Sequence, residues 1–307
     1  MHRTKTTIRG SVPNKKPDLK KEIEPVVHIV IPDTQAKDGV PTDHLNWIGM
    51  FIVEEYRNKN IKIIHLGDHA DMPALSMYDK GKKSMEGRRV KADIDAANEA
   101  WRILNQPIYD HNLQQRKTKH AKWNPERHIL LGNHEDRINR ATENDAQIDG
   151  LFSTDDLDYA RTGWKVSPFK KILWLDGVAY SHFFYNPMTG NPYGGTIDGR
   201  LKSIGHSFTM GHQQTLLYGL RYVNGDNRDG GARSQHGLVA GACYLHDENY
   251  KGPQGNAHWR GIIVKHQVSD GSYDPMFVSL DYLCRRYENS SLSNFMLKKY
   301  PNLKMDE

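Results

Sequence analysis

Five short apolar runs of this chain each end on a side chain that can bind a cation or move a proton. Ile29-Val30-Ile31-Pro32 runs into Asp33-Thr34-Gln35, and Ile61-Lys62-Ile63-Ile64-His65-Leu66 into Gly67-Asp68-His69-Ala70-Asp71. Ile129-Leu130-Leu131 runs into Gly132-Asn133-His134-Glu135-Asp136-Arg137, Val178-Ala179-Tyr180-Ser181 into His182, and Ser207-Phe208-Thr209-Met210 into Gly211-His212-Gln213-Gln214. Carboxylate, amide and imidazole are the groups that ligate Mn²⁺, Fe²⁺, Zn²⁺ or Mg²⁺. An apolar run stopped by glycine reads as a buried strand. Open α/β sheets bind ligands just beyond the carboxyl ends of such strands. The five strand ends are therefore expected to converge on one site.

The elements that must position these residues follow from pattern. Val26 to Ile31 reads as the first strand. A helix capped by Thr42 or Asp43 is expected through about Arg57, with Leu45, Ile48, Ile52, Val53 and Tyr56 on one buried face. Ile61 to Leu66 is the next strand, so the chain opens as β-α-β. Val90 to about Lys117 is expected to be largely helical with a break at Pro107, its face formed by Ala92, Ala96, Ala100, Ile103 and Leu104. Asp176-Gly177 between two apolar runs is a hairpin signal. Asn186 to Gly199 reads as a loop, Leu216 to Gly241 as loop-rich with turns at Asn224-Gly225-Asp226 and Gly230-Gly231. Gly261 to Val268 and Pro275 to Leu280 read as strands joined by Ser269-Asp270-Gly271.

The order Asp-x-Gln, Gly-Asp-x-x-Asp, Gly-Asn-His-Glu, His, Gly-His-x-Gln is similar to the calcineurin-like metallophosphoesterase signature. This chain resembles that superfamily from about Val26 to about Leu283, and in overall look its phage-encoded members. Gln35 and Gln214 stand where the superfamily has histidine. The resemblance implies an α/β four-layer αββα sandwich with two central sheets. It makes Asp68 the carboxylate shared by two divalent ions. One ion would take Asn133, His182 and His212, and the other Asp33, Gln35 and Gln214. Mn²⁺ is the expected ion, with Mg²⁺, Fe²⁺ and Zn²⁺ as alternatives, and the glutamine position is expected to be the weaker. By the same resemblance a hydroxide bridging the ions attacks phosphorus, His134 protonates the leaving oxygen, and Asp71 orients His134. Asp71 also reads as a helix N-cap.

The expected activity is that of a metal-dependent phosphoester hydrolase, acting on a phosphodiester in a nucleotide or nucleic acid. The alternatives are a phosphomonoesterase, including a protein phosphatase, and a metal-binding module without turnover. Arg137 reads either as a phosphate contact or as a partner of Glu135 or Asp136. Arg88 and Arg89 are further substrate-binding candidates, in a helical cap inserted at 72–125 within a catalytic domain of 23–284. Residues 1–22 read as a basic arm and 285–307 as a polar tail that can form a last helix.

Composition bounds the rest. The chain has 307 residues and a net charge of +5, which permits an anionic substrate. Its two cysteines, Cys243 and Cys284, offer no disulfide framework, and both read as small buried hydrophobes in a cytoplasmic protein, in host cytoplasm if phage-encoded. No stretch approaches the roughly 20 apolar residues of a membrane span.

Overall fold

A computed structural model describes residues 26–224, 231–248 and 251–303. The expected basic arm lies outside the described residues, as do most residues of the turns expected near 225 and 230. The fold is mixed α/β, built on two sheets. The first holds β1 (Val26–Ile31), β2 (Ile61–His65), β3 (Glu126–Leu130), β4 (Lys165–Ser167), β10 (Gly261–Ser269) and β11 (Ser272–Ser279). Its order is β11-β10-β1-β2-β3-β4, with β1 to β4 mutually parallel. The second holds β5 (Leu173–Leu175), β6 (Val178–Ser181), β7 (Phe208–Met210), β8 (Leu216–Asn224) and β9 (Ala232–Ala240), in the order β5-β6-β7-β9-β8.

Alternation along the strands sorts side chains to two faces. Ile29, Ile31, Ile61 and Ile63 pack under α1 (Asp43–Tyr56) and α2 (Val90–Lys117), while Val30, Ile64 and Leu130 meet Val178, Tyr180 and Leu238 of the second sheet. The far face of that sheet, with Ala179, Phe208 and Val239, is covered by Leu201 of α4 (Ile197–Ile204). The result is an α/β sandwich with helices outside and the two sheets face to face.

Several elements differ from expectation. Pro107 does not break α2, which runs continuously over 28 residues. Only Ala100 and Leu104 of its expected face are fully buried; Ala97, Trp101 and Ile108 complete the stripe. That stripe lies against α1 in the main core, so α2 belongs to the helical layer, and only the loop before it can act as a cap. The polar tail is likewise a correction. α6 (Leu280–Glu288) and α7 (Leu292–Lys299) bury Leu280, Leu283, Cys284, Phe295 and Met296 in the same core, so a boundary at residue 284 cuts through a packed helix. Leu216 to Gly241 is mostly two long antiparallel strands, because Leu216, Tyr218, Leu220 and Tyr222 supply strand-forming side chains whatever the glycines between suggest. Asp176-Gly177 does turn a hairpin, with both residues at positive φ (49° and 81°), as a type I′ turn requires. Among the described residues no helix is long and apolar enough to cross a membrane.

Candidate metal centre

Asp33, Asp68, Asn133 with His134, His182 and His212 follow the carboxyl ends of β1, β2, β3, β6 and β7 respectively. Hydrogen bonds join the sheets at this edge. His182 Nδ1 donates to the Leu66 carbonyl at 2.8 Å, and the His212 backbone N–H donates to Asp33 Oδ1 at 3.2 Å. The loops are held tightly: Gln35, Asp68, His212 and Gln214 all adopt positive φ, a conformation that non-glycine residues keep only where the surroundings impose it.

Glu135 is the anchor that residue-by-residue reading left without a role. Fully buried, its carboxylate accepts the backbone N–H groups of Asp68 (3.0 Å), His69 (2.7 Å), Ala70 (3.0 Å) and Gly132 (2.8 Å). It also accepts the Tyr159 hydroxyl at 3.2 Å. One side chain thus clamps the Gly67–Ala70 loop to the Gly132 loop. Its place in Gly132-Asn133-His134-Glu135 was the available signal.

The ligand atoms of Asp68, His182 and His212 lie within 4.8 Å of one another, close enough to hold a metal ion. With Nδ1 committed to Leu66, His182 presents Nε2, which stands 3.3 Å from Asp68 Oδ2 and 2.9 Å from Asn133 Oδ1. This is how a ligating histidine is usually oriented, by a backbone carbonyl on its other nitrogen. Burial opposes a charge on His182, but Asp68 outweighs it and raises the pKa to about 9. The ring proton there satisfies the acceptors that a divalent cation would satisfy. His212 is pushed down to about 4, by burial first and then by His182, so its ring is neutral and able to ligate. The donor set fits a divalent ion.

The dyad stands alongside. His134 Nδ1 lies 2.6 Å from Asp71 Oδ1, and its Nε2 lies 3.7 Å from Asp68 Oδ2. Burial disfavours the imidazolium, but Asp68 and Asp71 together raise its pKa above the ordinary value. Asp71 Oδ2 is bridged by Lys37 (2.9 Å), whose ammonium also meets Glu248 at 2.7 Å. Arg137 donates to the Asp71 carbonyl at 2.7 Å and places Nη2 3.4 Å from His134 Nε2.

The remaining candidates divide. Asp33 Oδ2 and Gln35 Oε1 are buried acceptors without a hydrogen-bond donor. Gln214 is different: its Oε1 accepts from the Tyr244 hydroxyl at 2.8 Å and from the Lys251 ammonium. His69 spends one nitrogen on Thr34 (2.7 Å) and the other on the Ala97 carbonyl (3.0 Å), so neither is left for a ligand role. Arg88 and Arg89 are not brought to the site. Arg88 ties its own loop together through Pro73 and Asp79, and Arg89 is exposed.

A cleft of about 320 Å³ opens beside Asn133 and His212, with Arg137, Arg140 and Lys170 as its cations and Phe169 and Tyr185 among its aromatic walls. The Lys170 ammonium lies over both rings, at 5.5 and 5.2 Å. Tyr78, from the loop before α2, completes the wall and is 85% exposed. No protein-family model and no curated protein matches this chain.

Proposed function

We propose that this chain is a divalent-metal-dependent phosphoester hydrolase of the calcineurin-like type, preferring a phosphodiester in a nucleotide or nucleic acid. The observation that carries the reading is the 3.7 Å approach of His134 Nε2 to the Asp68 carboxylate, which brings an acid–base group to the metal-holding trio. Asp68, His182 and His212, with Asn133 adjoining, would hold the ion. A divalent ion bound there supplies Lewis acidity toward a phosphoryl oxygen and toward water. His134 does the proton work: Asp71 accepts from its Nδ1–H and, with Asp68, favours the imidazolium, whose second proton on Nε2 would go to a leaving oxygen. Arg137 lies close enough to that nitrogen to share an anionic group with it.

The diester preference rests on the cleft. Cations interleaved with aromatic rings suit a sugar-phosphate backbone with its bases stacked. Arg137, Arg140 and Lys170 would meet phosphates, and Tyr185 and Tyr78 would offer stacking faces.

Turnover of a chromogenic phosphodiester and of the matching monoester, each with Mn²⁺ and then with a chelator, tests this reading. The expected result is Mn²⁺-dependent hydrolysis faster on the diester. Monoester preference would move the chain to the phosphomonoesterase class. No turnover with any divalent ion would leave a metal-binding module.

A further inference from the structure

The second cation position expected at Asp33, Gln35 and Gln214 is not built like the first. Gln214 Oε1 already accepts from two donors, the Lys251 ammonium and the Tyr244 hydroxyl, which uses both lone pairs of an amide carbonyl. Lys251 is itself held in place. Its Nζ lies 2.9 Å from Tyr244 Oη and 5.6 Å from the centre of that ring. Burial lowers its pKa, while Glu248 and Asp33 act on its charge in the opposite sense. A dication sharing the Gln214 oxygen would sit against the half-buried Lys251 ammonium, where repulsion is screened less than in water. Neither glutamine offers the charge or basicity that would offset it.

We infer that Lys251 takes the place of a second metal ion: seated on Gln214 and Tyr244, its ammonium supplies the second positive charge of the site, and the chain binds one divalent ion, on Asp68, His182 and His212. The inference rests on the functional reading above only in assigning that trio to the ion. It accounts for the glutamine at position 214. A histidine at position 214 would compete with Lys251 for the same space and charge, whereas a glutamine oxygen accepts an ammonium proton. Asp33 lies near enough to Lys251 to favour its charge.

Metal stoichiometry decides it, measured on the full-length protein freed of metal and titrated with Mn²⁺ by calorimetry, with bound metal quantified after dialysis. The wild type is expected to take one ion per chain. The double variant Lys251→Met/Gln214→His, which removes the ammonium and restores an imidazole, is expected to take two. Two ions in the wild type would overturn the inference while leaving the functional reading intact. No ion in the wild type would overturn both. A folded double variant that still takes one ion would also overturn it, since Lys251 would then not be what excludes the second. Should the double variant not fold, the electron paramagnetic resonance of Mn²⁺ in the saturated wild type decides. An isolated-ion spectrum supports the inference, and an exchange-coupled pair refutes it.

Discussion

Glu135 and Asp68 never meet through their side chains, yet the Glu135 carboxylate takes the Asp68 backbone N–H at 3.0 Å and so sets where the Asp68 carboxylate stands. Asp68 in turn sits at a positive φ of 49°, and its Oδ1 accepts the His134 N–H at 3.0 Å. The Gly67–Ala70 loop and the Gly132 loop are therefore one unit, with the Asp68 carboxylate at its centre.

Replacing Glu135 by Gln should be costly. One of the two carboxylate oxygens, each accepting from at least two groups, would become an NH₂ facing donors. Leaving two buried N–H groups without an acceptor costs roughly 2–6 kcal/mol. Urea unfolding should show that loss, together with weaker Mn²⁺ binding. A stability change below about 0.5 kcal/mol, the usual range of surface substitutions, would mean the clamp contributes little.

Gly132→Ala tests the same unit from the other side. A Cβ at this position would overlap Asp68 Oδ1 and the Asp68 backbone nitrogen. Overpacking of this kind costs about 1–3 kcal/mol. The variant is expected to fold less stably and to bind Mn²⁺ more weakly. Wild-type affinity in a calorimetric titration would show that the two loops separate without disturbing Asp68.

Asp71→Asn should separate proton transfer from metal binding. The variant keeps the trio but loses the carboxylate that holds His134 Nδ1. A drop in kcat of about 10²–10⁴ is expected, the usual contribution of a positioned acid–base group, with Mn²⁺ affinity unchanged. Lys37→Met, which removes the cation bridging Asp71 and Glu248, should give a smaller loss in the same direction. Equal kcat in wild type and Asp71→Asn would remove His134 from the chemistry.

Away from the site, Lys265 predicts a pH dependence of stability. It is fully buried between the sheets, with Nζ near Tyr180 Oη (3.2 Å) and Thr209 Oγ1, and burial draws its pKa well below 10.5. From the folded-state pKa up to 10.5 the unfolded chain holds the proton more often than the folded one, so this group makes stability rise with pH. Lys265→Met should remove that slope. It should stabilise the protein at pH 7 by roughly 1–4 kcal/mol, as replacing a buried charge by an apolar side chain often does, with the gain shrinking toward alkaline pH. Denaturant unfolding across pH checks this, and a gain that grows with pH would reverse the assignment.

Much of the site was legible because its residues sit at strand ends, where an apolar run and a polar stop mark each position. Val26 to Ile31 and the Asp176-Gly177 hairpin were read for the same local reason. What was not legible depends on contacts distant in sequence. Lys251 meets Gln214 across 37 positions, and Lys37 meets Glu248 across 211. Neither lysine carries a local signal distinguishing it from a surface charge. Arg88 and Arg89 were drawn toward substrate by charge alone, whereas Arg88 is held by Pro73 and Asp79 and Arg89 is exposed. A last helix after Arg285 was read but its burial was not, because its buried residues, Phe295 and Met296, are few and flanked by polar ones.

Asp68, His182 and His212 are proposed to hold the ion of a hydrolytic site. The most direct test is an anomalous-difference map from crystals grown with Mn²⁺, recorded at a wavelength where manganese scatters anomalously. The account predicts a strong peak within bonding distance of Asp68, His182 Nε2 and His212, on the His134 side of the cleft. A peak elsewhere, or none at these residues at saturating Mn²⁺, would contradict it.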